Sequence, residues 1–334
     1  MKKNIAILGA GGIAGVMAKT LAGMRDEVNA CAVASRNLEK AEKFAAEHGF
    51  GKAYGSYEEM LADPEIDLVY IAVPHSHHYQ WTIASLNAGK HVLCEKAFAV
   101  NEAQAKEMIR LARKKGLLLT EAIWTRYQPA RRMIDDLIAG GVIGKPEVVS
   151  ANLDYFVIHQ ERSVEPSLAG GALLDVGIYP LNFASMVMGN EIRKITASCV
   201  MYETGVDAKD NIFIEYKNGG MASLYASMTD QSNRTGCISG PKGYIEVSNI
   251  NNPQEIRVYQ HDGYGSRLLR TLPVPEQING YEYEVRSALA AIEAGQVECP
   301  EMPHEETLEI MRQMDECRRQ FGLVLPCEGL GTDS

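Results

Sequence analysis

A glycine-rich turn close to the start of the chain constrains the fold more strongly than any other part of the sequence. The apolar run 4–8 is typical of a short β-strand, and the segment Gly9-Ala10-Gly11-Gly12-Ile13-Ala14 follows it directly. This spacing matches G-x-G-x-x-[GA], in which Gly9 permits a tight turn, Gly11 lets the backbone approach a diphosphate, and Ala14 allows close packing of a helix on the strand. The pattern predicts a dinucleotide-binding turn, with an ordinary glycine turn as the alternative.

The sequence beyond this turn indicates how the rest of a dinucleotide would bind. Gly12 and Ile13 open the predicted helix, so their backbone N–H groups would donate to the diphosphate. At the end of the next strand an NAD enzyme usually has an acidic residue for the ribose hydroxyl, whereas this chain has Ser35 and Arg36. A hydroxyl and a guanidinium suit a ribose 2'-phosphate, because arginine forms bidentate, charge-assisted bonds. We predict NADP as the cofactor and NAD as the alternative. In a purely structural interpretation, Ser35 or Asn37 merely caps the next helix and Arg36 is solvated.

From residue 4 to about residue 121, short apolar runs alternate with helical stretches. The runs lie at 4–8, 28–34, 68–73, 91–94 and 117–121. Such alternation is typical of βαβ units around a parallel sheet, and the continuous apolar character of the runs indicates helices on both faces. Asn101, with Gln104 three residues later, predicts the start of a helix that ends at Gly116. We predict a doubly wound α/β Rossmann domain over residues 1–121.

The second half of the chain has a different pattern. Asn218-Gly219 separates the runs 210–216 and 220–228, and this dipeptide between two alternating runs is the strongest short-range hairpin signal. Helical patterns return at about 281–294 and 304–321. We predict an α+β domain over residues 122–334 with a large, mostly antiparallel, open-faced sheet that binds substrate and mediates oligomerisation.

The charge balance limits the class of partner. The chain has 33 Lys and Arg against 43 Asp and Glu, a net charge of -10, which repels nucleic-acid phosphates and anionic membranes. No uninterrupted apolar run reaches the roughly 18 residues that a membrane span needs. The 7 cysteines include no C-x-x-C pair, which favours reduced thiols. We expect a cytoplasmic protein that binds a small molecule and has neither a nucleic acid nor a membrane as partner.

Two polar clusters, at 73–78 and 91–97, follow strands of the predicted parallel sheet. Ligands bind at the carboxyl ends of strands in such sheets. A lysine there, Lys96, would have its pKa lowered by desolvation and by a cationic nicotinamide, so that it exchanges a proton with a substrate oxygen. The three histidines of the first cluster do not share one helical face and have no acidic or cysteine partner nearby, so we predict no metal site.

The motifs together resemble the Gfo/Idh/MocA family of oxidoreductases, named after glucose-fructose oxidoreductase, inositol dehydrogenase and a rhizopine catabolism protein. The resemblance depends on the G-x-G-x-x-A turn, the segment 74–78 and the run K-H-V-L-C-E-K, and it covers about residues 4–325. The family signature E-K-P corresponds to Glu95-Lys96-Ala97, so that alanine replaces the proline. The resemblance implies an oxidoreductase with a nicotinamide cofactor and a sugar-like substrate.

Two later stretches are similar to one branch of that family. They are 121–126, E-A-I-W-T-R, and 170–180, G-G-A-L-L-D-V-G-I-Y-P. These stretches resemble dimeric dihydrodiol dehydrogenases and NADP-linked D-xylose dehydrogenases. Much of the wider family has a histidine at the position of Tyr179, whereas this branch has tyrosine.

The resemblance implies a role for individual side chains. Lys96 would exchange a proton with the reacting oxygen, Tyr179 would be its acid/base partner, and Asp175 would orient the substrate. A tyrosine has an ordinary pKa of about 10, so it serves as a base at neutral pH only when a neighbouring cation stabilises the phenolate. The side chains expected to line the nicotinamide or to lie near cofactor and substrate are Pro74, His75, His78, Glu95, Lys96, Trp124 and Arg126.

The predicted activity is hydride transfer between NADP(H) and a secondary alcohol or hemiacetal carbon of a sugar or cyclic trans-diol. One alternative is a regulator that senses NAD(P) without turnover, and another is a sugar-modifying enzyme with a transient redox step. The resemblance also implies a homodimer. We expect the two copies to meet through the C-terminal sheet, because an open sheet face needs a cover.

Overall fold

The computed structural model describes residues 2–328, and the described chain divides into two compact units. Unit 1 comprises residues 2–124 together with Gln277–Leu308, and unit 2 comprises Thr125–Glu276 together with residues 309–328.

The segment Gln277–Leu308 packs with unit 1, whereas the sequence prediction placed it in the C-terminal domain. The amide of Leu119 donates to the carbonyl of Val297 at 3.0 Å, and the hydroxyl of Thr20 donates to Asn279 Oδ1 at 3.0 Å. Both bonds join residues far apart in the chain, so no local pattern could indicate them.

Unit 1 contains a six-stranded sheet in the order β3-β2-β1-β4-β5-β6, with every neighbouring pair parallel. Its strands are β1 (Lys3–Leu8), β2 (Val28–Ala34), β3 (Lys52–Tyr54), β4 (Leu68–Ile71), β5 (His91–Glu95) and β6 (Leu119–Ala122). Its helices before unit 2 are α1 (Gly12–Gly23), α2 (Leu38–His48), α3 (Tyr57–Leu61), α4 (His78–Asn87) and α5 (Glu102–Lys115). All four residues of β4 are buried, as expected of a strand covered on both faces.

Helix α5 begins and ends where the sequence predicts. The Asn101 side chain accepts a hydrogen bond from the amide of Gln104 at 2.9 Å, and Gly116 ends the helix with a φ of 64°. Glycine adopts this left-handed conformation without the cost that a Cβ would add. The cap prediction is confirmed at both ends.

Unit 2 contains an eight-stranded sheet in the order β14-β13-β12-β11-β7-β10-β9-β8. Its strands are β7 (Val148–Asp154), β8 (Ile192–Met201), β9 (Asp207–Tyr216), β10 (Met221–Ser227), β11 (Gly236–Gly240), β12 (Gly243–Val247), β13 (Glu255–Asp262) and β14 (Gly265–Pro273). Among the neighbouring pairs of these described strands, β7 and β10 alone are parallel. The predicted hairpin joins β9 and β10, with Gly219 at a φ of 87°. The predicted fold class, a Rossmann domain plus an α+β domain with a mostly antiparallel sheet, is confirmed.

The helices α6 (Pro129–Ala139), α7 (Glu161–Val164) and α8 (Ile178–Met188) also belong to unit 2. Helix α8 packs on β7 and β10, and a π-helical turn, Leu173–Gly177, precedes it. The helical stretch Pro166–Met188 is long and apolar enough to cross a membrane by length and composition, but 83% of its most apolar window is buried inside the protein. Its position is that of a core helix.

Two helices complete the described chain. Helix α9 (Glu282–Glu293) belongs to unit 1, and α10 (His304–Phe321) contributes its residues up to Leu308 to unit 1 and the rest to unit 2. Gly322 follows α10 with a φ of 70°, at the position where the sequence predicts the helix to end.

Candidate active site

The glycine turn between β1 and α1 leaves open space in front of the helix. Gly9 has a φ of 114°, and a Cβ there would collide with the carbonyl oxygen of Ala72. A Cβ on Gly11 or Gly12 would meet nothing within 4 Å. No side chain caps the first turn of α1, so its N–H groups, including that of Ile13, point into this space. Ala14 is fully buried, as close packing of the helix on the strand requires.

The end of β2 brings Ser35 and Arg36 to the same edge of the sheet. Ser35 is buried, and Arg36 is exposed. Helix α2 is capped by Asn37, whose side chain accepts from the amide of Lys40 at 3.0 Å. Capping therefore does not require Ser35 or Arg36. Burial, and then the charge of Arg36, lower the pKa of His77, so the guanidinium acts on the turn that follows β4.

The turn after β4 contains Pro74, His75 and His78, but the last of these is fully buried. His78 Nδ1 lies 2.7 Å from the carbonyl oxygen of Ala97, and Nε2 lies 2.9 Å from that of Val73. Burial first, and then the charge of Lys96, lower the pKa of His78 to about 4 although both backbone bonds raise it. The prediction that His78 lines the nicotinamide is wrong, because its side chain has no exposed surface. Pro74 is half-buried and His75 is buried with a little exposed surface.

Strand β5 ends in the pair predicted to carry the chemistry. Tyr70 donates a hydrogen bond to Glu95 Oε1, and the amide of Lys96 donates to Glu95 Oε2 at 3.2 Å. Glu95 is buried, whereas Lys96 is partly exposed at the carboxyl end of the sheet. The peptide bond between Lys96 and Ala97 is cis.

An aromatic pair follows β6. The rings of Trp124 and Tyr281 stack with their centroids 4.2 Å apart and an angle of 19° between their planes. Tyr281 was missed by sequence reasoning, since it lies in the segment that joins unit 1 from far along the chain. Trp124 is buried with a small exposed area.

Arg126 belongs to unit 2 and is held by α8. Its Nε donates to Asn182 Oδ1 at 2.6 Å, and a terminal nitrogen donates to Ser185 Oγ at 3.1 Å. The side chain is buried. These bonds give Arg126 a packing role within unit 2, which the predicted role near the cofactor did not include.

Asp175 and Tyr179 lie about one helical turn apart in unit 2. Asp175 is in the π-helical turn before α8, and π-turns are frequent at functional sites. Its Oδ2 accepts from Arg162 at 2.9 Å and from the hydroxyl of Ser163 at 3.5 Å, two partners that sequence reasoning missed. Tyr179 lies in the first turn of α8 and keeps a small exposed area.

Within unit 1 the sheet order brings several predicted residues to one edge. The strands β2, β1, β4 and β5 are consecutive neighbours and parallel, so their carboxyl ends lie side by side. Gly9, Arg36, His75 and Lys96 follow those ends. In unit 2, Asp175 and Tyr179 form the second predicted group.

The chain matches two family models. Residues 3–123 match an oxidoreductase family with an NAD-binding Rossmann fold, and residues 131–246 match the GFO/IDH/MocA C-terminal domain.

Known proteins are similar over nearly the whole chain. The trans-1,2-dihydrobenzene-1,2-diol dehydrogenase of Homo sapiens is 36% identical over 310 residues, which cover 90% of this chain and 91% of that protein. The structure of an NAD binding oxidoreductase from Klebsiella pneumoniae matches with a TM-score of 0.84 at 25% identity, covering 96% of this chain and 97% of that one. A 3-ketoreductase from Actinomadura kijaniata, in complex with NADP and TDP-benzene, has a TM-score of 0.86 at 24% identity, covering 96% and 98%, and this match shows the fold alone.

Proposed function

Because this chain belongs to the Gfo/Idh/MocA oxidoreductase family, we propose that it is an NADP(H)-dependent dehydrogenase. Its substrate is a secondary alcohol or hemiacetal carbon of a sugar or of a cyclic trans-diol. The observation that carries the proposal is the open, uncapped first turn of α1 beside Lys96 at the same edge of the parallel sheet. The nicotinamide supplies the hydride acceptor when it is bound.

The residues at this edge fit a dinucleotide. The diphosphate would accept hydrogen bonds from the N–H groups at the start of α1, where Gly11 and Gly12 leave room for it. Arg36 would bind a ribose 2'-phosphate, since it is exposed and Asn37 already caps α2. The human relative is a trans-1,2-dihydrobenzene-1,2-diol dehydrogenase, which supports a cyclic diol as one substrate class here.

In the proposed reaction the side chains manage the proton. Lys96 takes the proton from the substrate hydroxyl during oxidation and returns it during reduction, with Tyr179 as its partner. Asp175 accepts a hydrogen bond from a second substrate hydroxyl and so orients the sugar or diol. The bonds from Arg162 and Ser163 fix the Asp175 carboxylate in place for that task.

The experiment that tests the dehydrogenase is a turnover screen. Purified protein is mixed with NADP+ and a panel of aldopyranoses and trans-dihydrodiols, and the absorbance of NADPH is followed. We expect at least one substrate to be oxidised, and we expect Lys96→Met to lower kcat by about 10²-fold or more, the scale of general acid–base catalysis. The matched control is Lys114→Met at an exposed position of α5.

Each other outcome of the screen has a defined meaning. Saturable NADPH binding without turnover on the whole panel would overturn the dehydrogenase and favour the nucleotide-sensing regulator. A cofactor that stays bound while the sugar is converted without net reduction would favour the sugar-modifying enzyme. Normal turnover by Lys96→Met would remove Lys96 from the mechanism.

We also propose that the protein is a homodimer formed through the sheet of unit 2. One face of that sheet is covered by α8, and the other carries exposed apolar side chains on four neighbouring strands: Val148, Met221, Phe213 and Val200. Their registers place them on the same face, and a second copy can cover it symmetrically. Phe213→Lys should convert the dimer to a monomer by light scattering, whereas Tyr264→Lys, at the exposed tip of the β13–β14 hairpin, should not.

A further inference from the structure

The turn that carries Lys96 is held by side chains from four surrounding elements. Residues 97–100 are buried, and buried backbone groups need hydrogen-bond partners. Three backbone amides donate to side chains: Lys96 to Glu95 at 3.2 Å, Phe98 to Glu121 Oε1 at 3.2 Å, and Val100 to Gln104 at 3.4 Å. Two backbone carbonyls are contacted by side chains: that of Phe98 by Cys94 Sγ at 3.7 Å, and that of Ala97 by His78 Nδ1 at 2.7 Å.

Two of these side chains stand out because they bond the carbonyl and the amide of one peptide group, Ala97–Phe98, from different elements. His78 comes from α4 and contacts the carbonyl of Ala97, while Glu121 comes from β6 and accepts from the amide of Phe98. His78 is 0% exposed and Glu121 is 1% exposed, so neither can touch a bound substrate or cofactor directly. Their contribution therefore acts through the backbone of the turn.

His78 also has a defined protonation state at its place in the fold. Burial and the charge of Lys96 keep the ring neutral at neutral pH, so only one ring nitrogen carries a hydrogen. The contact of Nδ1 with Ala97 is the shorter of the two, which favours the tautomer with its hydrogen on Nδ1. In that tautomer the neutral ring donates to the turn that carries Lys96.

We propose that His78 and Glu121 are positioning residues that fix the backbone of the 95–98 turn and thereby place the side-chain nitrogen of Lys96. The inference rests on the proposed role of Lys96. Lysine has a long flexible side chain, so the placement of its Cα sets where its nitrogen can reach. A misplacement of about 1 Å at a catalytic group costs on the order of 10²-fold in rate.

The His78 test uses three variants that differ in which bond they keep. The amide nitrogen of His78→Asn can occupy the place of Nδ1 and donate to Ala97, whereas that of His78→Gln corresponds to Nε2 and reaches towards Val73. His78→Leu keeps neither bond. Using NADP+ and the best substrate of the turnover screen, we expect kcat to fall about 10-fold or more in His78→Leu and His78→Gln, and His78→Asn to recover most of it.

The Glu121 test uses two variants whose new side chains have a similar volume. Glu121→Gln keeps a carbonyl oxygen that accepts from Phe98, and Glu121→Met removes it at similar volume. We expect Glu121→Gln to retain kcat and Glu121→Met to lose about 10-fold or more. In every variant the Kd of NADPH, measured by fluorescence titration, and the KM should stay within about 2-fold, since the bonds act on the turn and not on the bound molecules.

A readout independent of turnover is the rate at which Lys96 is methylated by formaldehyde and a borohydride, followed by mass spectrometry. That rate should change in His78→Gln and Glu121→Met and return towards wild type in His78→Asn and Glu121→Gln. The inference would be overturned if His78→Gln matched His78→Asn, and Glu121→Met matched Glu121→Gln, in both kcat and the rate of Lys96 labelling. These two pairs test the positioning role even if His78→Leu does not fold. If Lys96→Met turns over normally, the proposed role of Lys96 in catalysis fails instead, and the labelling rates still judge the positioning role.

Discussion

Tyr70 on β4 donates a buried hydrogen bond to the Glu95 carboxyl group on the neighbouring strand β5. Glu95 uses its other oxygen to accept from the amide of Lys96 at 3.2 Å. A third buried group, Glu284 on α9, has its pKa raised by burial and then by the charge of Glu95. The tyrosine hydroxyl therefore belongs to a buried polar cluster directly behind the predicted proton-transfer residue.

Tyr70→Phe should destabilise the protein, because it leaves a buried oxygen of Glu95 without this donor. We expect a loss of about 1–3 kcal/mol in the free energy of unfolding, measured by urea denaturation. The matched control is Tyr79→Phe, which removes a tyrosine bond of 2.7 Å to Glu107 in a more exposed place. That change should stay within about 0.5 kcal/mol. Equal losses in the two variants would show that the buried position of Tyr70 adds nothing.

Alanine at two glycines of the first turn should change two different properties: folding stability at Gly9 and NADPH affinity at Gly11. Gly9→Ala places a Cβ at a φ of 114° and against the carbonyl of Ala72, so we expect loss of folding stability, seen as a lowered Tm. Gly11→Ala has a φ of -96° and open space, so the free protein should fold normally. Its NADPH affinity should fall, because the new methyl group occupies the path of the diphosphate. Unchanged NADPH binding by a folded Gly11→Ala would contradict the proposed phosphate site.

Arg36→Ala should weaken binding of NADPH but not of NADH. A charged hydrogen bond contributes about 1.5–3 kcal/mol, which corresponds to roughly a 10- to 100-fold rise in the Kd of NADPH. The control is Arg25→Ala, an exposed arginine just before β2 and so at the opposite edge of the sheet. Calorimetric titration with both reduced coenzymes gives the comparison, and an equal loss for the two would mean that Arg36 does not contact the 2'-phosphate.

Local signals in the sequence predicted much of unit 1 and one hairpin of unit 2. The glycine turn, the Asn101 cap and the Asn218-Gly219 hairpin all depend on residues within a few positions of one another, and the structure confirms each fold element that they predict. Strand β3 was not predicted because three residues are too few to form a recognisable apolar run.

The parts that escaped prediction depend on contacts between distant segments. The sequence predicted that His78 lines the ligand, whereas in the fold its ring contacts the backbone carbonyls of Val73 and Ala97. The stack of Tyr281 on Trp124 and the bond from Arg162 to Asp175 likewise need the tertiary fold. Sequence patterns identify residue types suited to chemistry, whereas burial decides which of them can meet a ligand.

A buried pair of aspartates makes the stability of unit 2 depend on pH. Asp207 and Asp210 both lie buried on β9, and the amide of Leu173 donates to Asp207. Burial and the charge of Asp207 raise the pKa of Asp210 well above its ordinary value, so Asp210 keeps its proton in the folded protein. A carboxyl group whose pKa is raised in the folded protein stabilises the fold while it keeps its proton. That contribution is fully present below the pKa of about 3.9 in the unfolded chain and is lost as the pH rises through the pKa in the folded protein.

Asp210→Asn should remove that dependence, because the amide has a similar size and does not titrate. Relative to wild type, the variant should gain up to about 1.4 kcal/mol in unfolding free energy per pH unit as the pH rises from about 5 towards the folded pKa. Urea denaturation at pH 5, 6, 7 and 8 measures the difference, with Asp262→Asn at an exposed position as the control for the lost charge. A constant difference between Asp210→Asn and wild type over this range would mean that Asp210 is already ionised in the folded protein, and its burial would then have to be stabilised by a cation rather than by a retained proton.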